Sequence, residues 1–146
     1  RVFFLGAKPG IADLAMQNIT ARYPGLNVVG ARHGFFEAND EGKLISHINE
    51  SRPDLLFVGM GVPKQERWIM ENRDRLNVPV IMGIGGSFDV FAGVVNRAPV
   101  LWQRAGMEWL WRTLREPWRL RRVRVIPAFL IEICLYRLIA AISSPF

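Results

Sequence analysis

The chain has 146 residues, half of them hydrophobic and 22% charged, which suits one domain with a substantial core and excludes a disordered chain. The net charge of +6 is unevenly placed: residues 1–96 carry ten basic and ten acidic side chains, whereas residues 97–146 carry nine arginines, no lysine and three glutamates. A single cysteine, Cys134, excludes an internal disulfide and is compatible with a reducing compartment.

Residues 2–5 read as a buried strand running straight into Gly6. With no starting Met and no signal peptide, such an opening is expected of a fragment or one half of a longer fold. Gly6-Ala7-Lys8-Pro9-Gly10 is a turn, and residues 11–22 a helix with Ile11, Leu14, Ala15 and Ile19 on one side. Tyr23-Pro24-Gly25 ends it. Residues 27–30 form a second short strand, and residues 41–51 a helix with Leu44, Ile45 and Ile48 facing in. After the turn Arg52-Pro53-Asp54 come a third strand over 55–59, a helix over 63–76 opened by Pro63, and a fourth strand over 80–84. The continuous apolar runs of these strands suggest a parallel sheet covered on both faces. The expected architecture is therefore α/β, a parallel sheet with flanking helices over residues 1–98, followed by a basic and apolar helical appendage over residues 99–146.

In open sheets of this kind ligands bind beyond the carboxyl ends of the strands. Three such ends carry glycine-rich or polar loops: Gly6-Ala7-Lys8-Pro9-Gly10, Gly59-Met60-Gly61-Val62-Pro63-Lys64-Gln65-Glu66 and Gly83-Ile84-Gly85-Gly86-Ser87-Phe88-Asp89. Glycine permits close approach to the backbone, and helix N-termini favour anions, so the loops suggest a nucleotide-sized ligand carrying phosphate. No loop is specific alone: the dinucleotide fingerprint, the P-loop, a nucleophile elbow and metal-ligand spacings are all absent. Asp89 could accept hydrogen bonds from a ribose or base, or Ser87 or Asp89 could cap the next helix. Gln65 could donate to a phosphate or sugar hydroxyl, or be an exposed polar residue; Lys64 and Glu66 could be a solvated face. His33 could move a proton or be structural, and Phe35 could stack on a base or pack in the core.

In the last third, Arg112, Arg115, Arg119 and Arg122 share one face of a continuous helix, accompanied by Trp109, Trp111 and Trp118. The guanidinium fork matches phosphate oxygens, so this face points to diphosphate or an anionic membrane surface, the alternative being a solvated face. The apolar run 125–142 contains Glu132, Arg137 and Pro127, which favours an interfacial or packed helix over a membrane span.

Three strings taken together, PKQE-x-W-I from Pro63, GGSFDV-x-AG from Gly85 and RAP…EWL-x-R…EP-x-R from Arg97, resemble the WecG/TagA/CpsF glycosyltransferases in order and spacing. The likeness extends to about Phe129. It implies a Rossmann-like core with a C-terminal appendage, and an inverting transfer of N-acetylmannosamine, or a related N-acetylhexosamine or its uronic acid, from a UDP-sugar to N-acetylglucosamine on a polyprenyl diphosphate. The pathways implied are teichoic acid, common antigen or capsule synthesis. No metal or other cofactor is expected. The implied location is peripheral, at the cytoplasmic face of the bacterial inner membrane.

Carried over by motif, Gln65 matches an active-site glutamine and Asp89 a position beside the uracil. Arg112, Arg119 and Arg122 match appendage arginines that meet diphosphate, and Phe35 stands where many members have Tyr. The donor site is then expected to involve Gly6, Lys8, Phe35, Gly59, Pro63, Lys64, Gly85, Gly86, Ser87 and Asp89. The family's general base, an aspartate, falls upstream of the first strand, so this chain alone is expected to lack it. Two rival readings stand beside this one: a nucleotide-binding module without catalysis, and a nucleic-acid-binding domain using the basic tail. The apolar run after that tail favours a membrane over nucleic acid. The sequence leaves oligomerisation open.

Overall fold

The computed structural model describes residues 1–95, 98–115, 129, 131–133 and 136. The chain forms two compact units, Arg1–Asn96 and Arg97–Phe146. In the first, four parallel strands, β1 (Val2–Gly6), β2 (Val28–Arg32), β3 (Leu55–Gly59) and β4 (Val80–Gly83), lie in the order β2-β1-β3-β4. The helices α1 (Ile11–Arg22), α2 (Glu41–Glu50), α3 (Lys64–Asn72) and α4 (Ser87–Phe91) flank it. This is the expected α/β, Rossmann-like architecture.

Each strand turns alternate side chains to opposite faces. Phe3 and Leu5 of β1, with Leu56 and Val58 of β3, pack against Leu44, Ile45 and Ile48 of α2 and Trp68 of α3. Val2 and Phe4, with Leu55 and Phe57, face Ala15 of α1 and Phe88 of α4. All five residues of β1 are buried, as a central parallel strand requires.

Local chemistry explains most element ends. Gly10, at φ 82°, admits the chain to α1, and Tyr23 leaves it because the following Pro24 disfavours helical geometry. The 63–76 helix is shorter than expected: α3 stops at Asn72 and a 3-10 turn, Arg73–Arg75, follows. Asn72 is the cause, its buried amide donating back to the Trp68 carbonyl and across to Glu41 Oε1. β2 runs on to Arg32 rather than stopping at Gly30, because Ala31 and Arg32 continue the ladder with Phe4 and Leu5.

Two packing expectations are corrected. Leu14 is 38% exposed, and the buried face of α1 runs instead through Ala12 and Ala15, with Ile11, Met16 and Ile19 beside them. Nor is the sheet covered throughout: Val80 and Met82 of β4 are each 50% exposed, since the five-residue α4 packs on α1 and on Phe88's neighbour Phe4.

The second unit contains α5 (Val100–Arg104) and α6 (Glu108–Arg115), with the Trp102 and Trp111 rings 5.6 Å apart. α6 holds Arg112 and Arg115, and the Arg115 guanidinium stacks over Trp111 at 5.0 Å. Arg119, Arg122, Trp118 and the side chain of Arg112 lie outside the described residues, as does most of the apolar run 125–142. Among the described residues no helix is long and apolar enough to cross a membrane.

Candidate functional site

The chain passes from β1 outward to β2 and then back across to β3, so the order reverses between β1 and β3. A crevice opens at such a reversal, beyond the carboxyl ends of the strands. Gly6 ends β1 and Gly59 ends β3 here, paired in the ladder. A Cβ on Gly6, which has φ +150°, would collide with the Gly59 carbonyl; one on Gly59 would strike the Phe88 ring and come within 2.9 Å of the Gly85 carbonyl. The crevice floor is thus backbone against backbone, and any side chain there would force the loops apart.

Ala7 fastens this floor. It sits at φ 54°, a conformation L-residues adopt rarely, and is held by two backbone bonds. Its N–H donates to the Gly59 carbonyl at 2.8 Å, and its carbonyl accepts the Gly34 N–H at 3.0 Å. The loops after β1, β2 and β3 are therefore locked together. Lys8, next in line, is exposed.

The rim is held by side chains of α3. Lys64 donates from Nζ to the Gly34 carbonyl at 2.9 Å and lies 5.7 Å from the Phe35 ring centre and 5.9 Å from that of Phe36. It is thus more than a solvated lysine: it ties the end of β2 to the start of α3. Phe35 is 63% exposed, which overturns core packing and leaves its ring open to a planar ligand. Pro63 occupies the N-cap position of α3.

Gln65 is 4% exposed, so the exposed-polar reading is also overturned. Its Oε1 accepts the Gly85 N–H at 2.9 Å, and its Nε2 donates to Glu66 Oε1 at 2.8 Å. Ser87 caps no helix through its side chain; its hydroxyl donates to the Ile84 carbonyl at 2.7 Å, and Gly86, at the N-cap of α4, offers no side-chain cap. The Asp89 carboxylate lies over Gly86, 3.4 Å from where a Cβ would stand, while the Asp89 backbone carbonyl receives the N–H groups of Val94 and Val95. The structure thus brings Gly6, Gly59, Gly85, Gly86, Ser87, Asp89, Pro63, Lys64, Gln65 and Phe35 to one end of the sheet.

Sequence reasoning missed a cleft of about 570 Å³ beside this crevice, at the end of β2, lined by Arg32, His33, Phe35, Phe36, Asp40 and Lys43 among others. Only the His-Gly-Phe-Phe string hinted at it. The cleft sets Arg32 and Lys43 beside Glu37 and Asp40, with Lys43 paired to Asp40 at 3.2 Å, and among the described residues the buried Nδ1 of His33 has no hydrogen-bond partner. The indole Nε1 of Trp68, whose ring meets Phe36 edge-on at 6.3 Å, also lacks one among the described residues. Among the described residues no three His, Cys, Asp or Glu side chains gather as metal ligands would.

Two comparisons bear on this geometry. The family model described as "Glycosyl transferase WecG/TagA/CpsF family" matches residues 1–142. The chain is also 38% identical, over 133 residues, to proteins from Staphylococcus aureus strains MW2, NCTC 8325 and COL. Each is named N-acetylglucosaminyldiphosphoundecaprenol N-acetyl-beta-D-mannosaminyltransferase. The match covers 91% of this chain but 52% of each relative, so the chain spans about half the length of these curated relatives.

Proposed function

This chain belongs to the WecG/TagA/CpsF glycosyl transferase family, and on that premise we propose that it forms the donor-binding part of an inverting hexosaminyltransferase. The reaction moves N-acetylmannosamine, or a related sugar, from a UDP-sugar to N-acetylglucosamine on a polyprenyl diphosphate. The names of the relatives support the acceptor and the sugar. The observation that carries the donor reading is the crevice: glycine-lined ends of β1, β3 and β4 meet at the topological reversal, with an exposed phenyl ring at one side and a carboxylate at the other.

In chemical terms the acceptor hydroxyl gives its proton to a general base, the aspartate that the family resemblance places outside this chain, its oxygen bonds to C1 of the sugar, and the bond from C1 to the diphosphate oxygen breaks. UDP departs with the electron pair. Transfer of this kind needs both partners held in line and the charge on the leaving diphosphate stabilised. Backbone N–H groups of the loops and the arginines of residues 97–146, Arg112, Arg119 and Arg122 among them, are the groups proposed for the leaving charge. The uracil is assigned to the neighbourhood of Asp89, as the motif match implies, and the Phe35 ring at the opposite side is left to stack on another planar part of the ligand. The arginine-rich segment is assigned to the membrane surface that carries the lipid acceptor, as a peripheral attachment at its cytoplasmic face.

The test is a titration of the nitrogen-labelled chain with UDP, with ADP as control, read by backbone amide shifts. It is paired with a transfer assay on the protein at the full length of its relatives, using UDP-N-acetylmannosamine and a polyprenyl-diphosphate-linked N-acetylglucosamine. Shifts concentrated in residues 6–10, 33–36, 59–65 and 83–89 are expected, with turnover at full length. Binding without turnover would leave only a nucleotide-binding module, and shifts elsewhere would reject the donor site.

A further inference from the structure

We infer that Gln65 is a positioning residue: it sets the Gly85–Gly86 loop that the donor meets and does not itself touch the sugar. The inference rests on the donor reading above and departs from the direct active-site role that motif resemblance implies for this glutamine.

A glutamine amide offers two N–H donors and a carbonyl acceptor. In Gln65 the carbonyl is taken by the Gly85 N–H, 20 residues along the chain, and one N–H is taken by Glu66 Oε1. The side chain is buried and lies flat on the end of β4. A Cβ on Gly83 would stand 2.6 Å from Nε2, 3.1 Å from Cδ and 3.5 Å from Cγ. It fits only because β4 ends in glycine.

Gly85 is thereby gripped from two sides. Its N–H is held by Gln65, and its carbonyl sits so close to β3 that a Cβ on Gly59 would approach within 2.9 Å. The residues after Gly85 are the part open to a ligand. Gly86 is exposed, and its N–H makes no hydrogen bond among the described residues. Ser87 turns both its N–H and its hydroxyl back to the Ile84 carbonyl, at 3.2 and 2.7 Å. The Asp89 carboxylate stands over Gly86. Gly85 thus leads directly into the part that carries Gly86 and Asp89, and Gln65 holds the Gly85 N–H.

The experiment reads Gly85 and the donor separately in the full chain. Amide exchange at Gly85 is measured together with UDP affinity in wild type, Gln65→Leu, Gln65→Glu and Gly83→Ala. Gln65→Leu removes the acceptor; exchange at Gly85 is expected to rise, and UDP affinity to fall, each on the order of tenfold or less, the worth of one hydrogen bond. The amides of Phe4 and Leu56 keep their protection. Gln65→Glu retains an acceptor oxygen but would set a second carboxylate against Glu66, so it is made together with Glu66→Gln, and in that pair Gly85 stays protected. Gly83→Ala keeps the glutamine but displaces it, and reproduces the faster exchange; it carries the test should Gln65→Leu not fold. Weaker UDP binding in Gln65→Leu with Gly85 exchange unchanged would show direct contact and overturn the inference, as would no change in either. A wild-type chain that does not respond to UDP rejects the donor reading, and the inference with it, whatever Gly85 does.

Discussion

The two faces of the sheet are packed by opposite means. On the side of α2 and α3 the helices bring large side chains, Leu44, Ile45, Ile48 and Trp68, down onto Phe3, Leu5, Leu56 and Val58. On the side of α1 and α4 the small residues are Ala12 and Ala15 of α1 and Ala92 at the end of α4, and bulk comes from Phe4 and Phe57 of the sheet and Phe88 of α4. Small helix residues let the two helices come close enough for the Asn18 side-chain amide of α1 to donate to the Phe91 carbonyl of α4 at 3.0 Å. The crevice repeats this division. Where α1 and α4 begin, the loops touch backbone to backbone through Gly6, Gly59 and Gly85. Where α3 begins, the long side chains of Lys64 and Gln65 reach across to Gly34 and Gly85. One face supplies close approach and the other supplies reach, and the candidate site uses both.

The comparison breaks most visibly if the large-residue face is emptied. Ile48 is fully buried in that cluster, and Ile48→Ala removes volume that rigid neighbours on α2 and β1 cannot refill. A loss of about 2–5 kcal/mol is expected in urea unfolding of the full chain. A loss below about 1 kcal/mol would mean that this face is plastic and that α2 is not anchored as described.

The small-residue face should fail in the opposite direction, by crowding. Ala15 is fully buried beside Val2, Phe4, Phe88 and Ala92. Ala15→Leu has nowhere to place its added carbons without pushing α1 from the sheet, so a cost of about 1–3 kcal/mol is expected. Gain rather than loss in the same unfolding assay would reveal an unfilled void and end the contrast between the faces.

The legibility of the sequence divides along the same line. Strands and α2 were readable because their signal is local: apolar runs for β1 and β3, and the 44-45-48 spacing for α2. The glycine-lined strand ends were readable for a similar reason, since each loop announces itself in a few residues. The features that escaped are non-local. Gln65 reads as a polar residue in a first helical turn until Gly85 and Gly83 are brought to it by the sheet. Lys64 reads as a solvated lysine until the end of β2 supplies the Gly34 carbonyl and two rings. The extension of β2 to Arg32 escaped because pairing with β1, not composition, decides it. On α1 the apolar spacing places Ile11, Ala15 and Ile19 on the core side, as observed, and misplaces Leu14 alone; Ala12 is buried in its stead, because alanine carries little hydrophobic signal and yet suits the close α1–α4 contact.

That stripe admits a discriminating test of small size. Spacing alone places Leu14 with Ala15 and Ile19, in which case Leu14→Gln would uncover apolar surface and bury an amide, at a cost of about 2 kcal/mol or more. The structure leaves Leu14 38% exposed, with Ala12 fully buried in its stead. Leucine and glutamine have nearly equal helix propensity, so the substitution changes little else in α1. The expected effect is therefore within about 0.5 kcal/mol, as for surface positions generally. The reciprocal change separates the two faces further: only a helix turned with Ala12 inward makes a leucine at position 12 costly while leaving a glutamine at position 14 harmless. Should the pair come out reversed, α1 is rotated about its axis, and the loop from Gly6 to Gly10 that feeds it would enter the crevice in a different register.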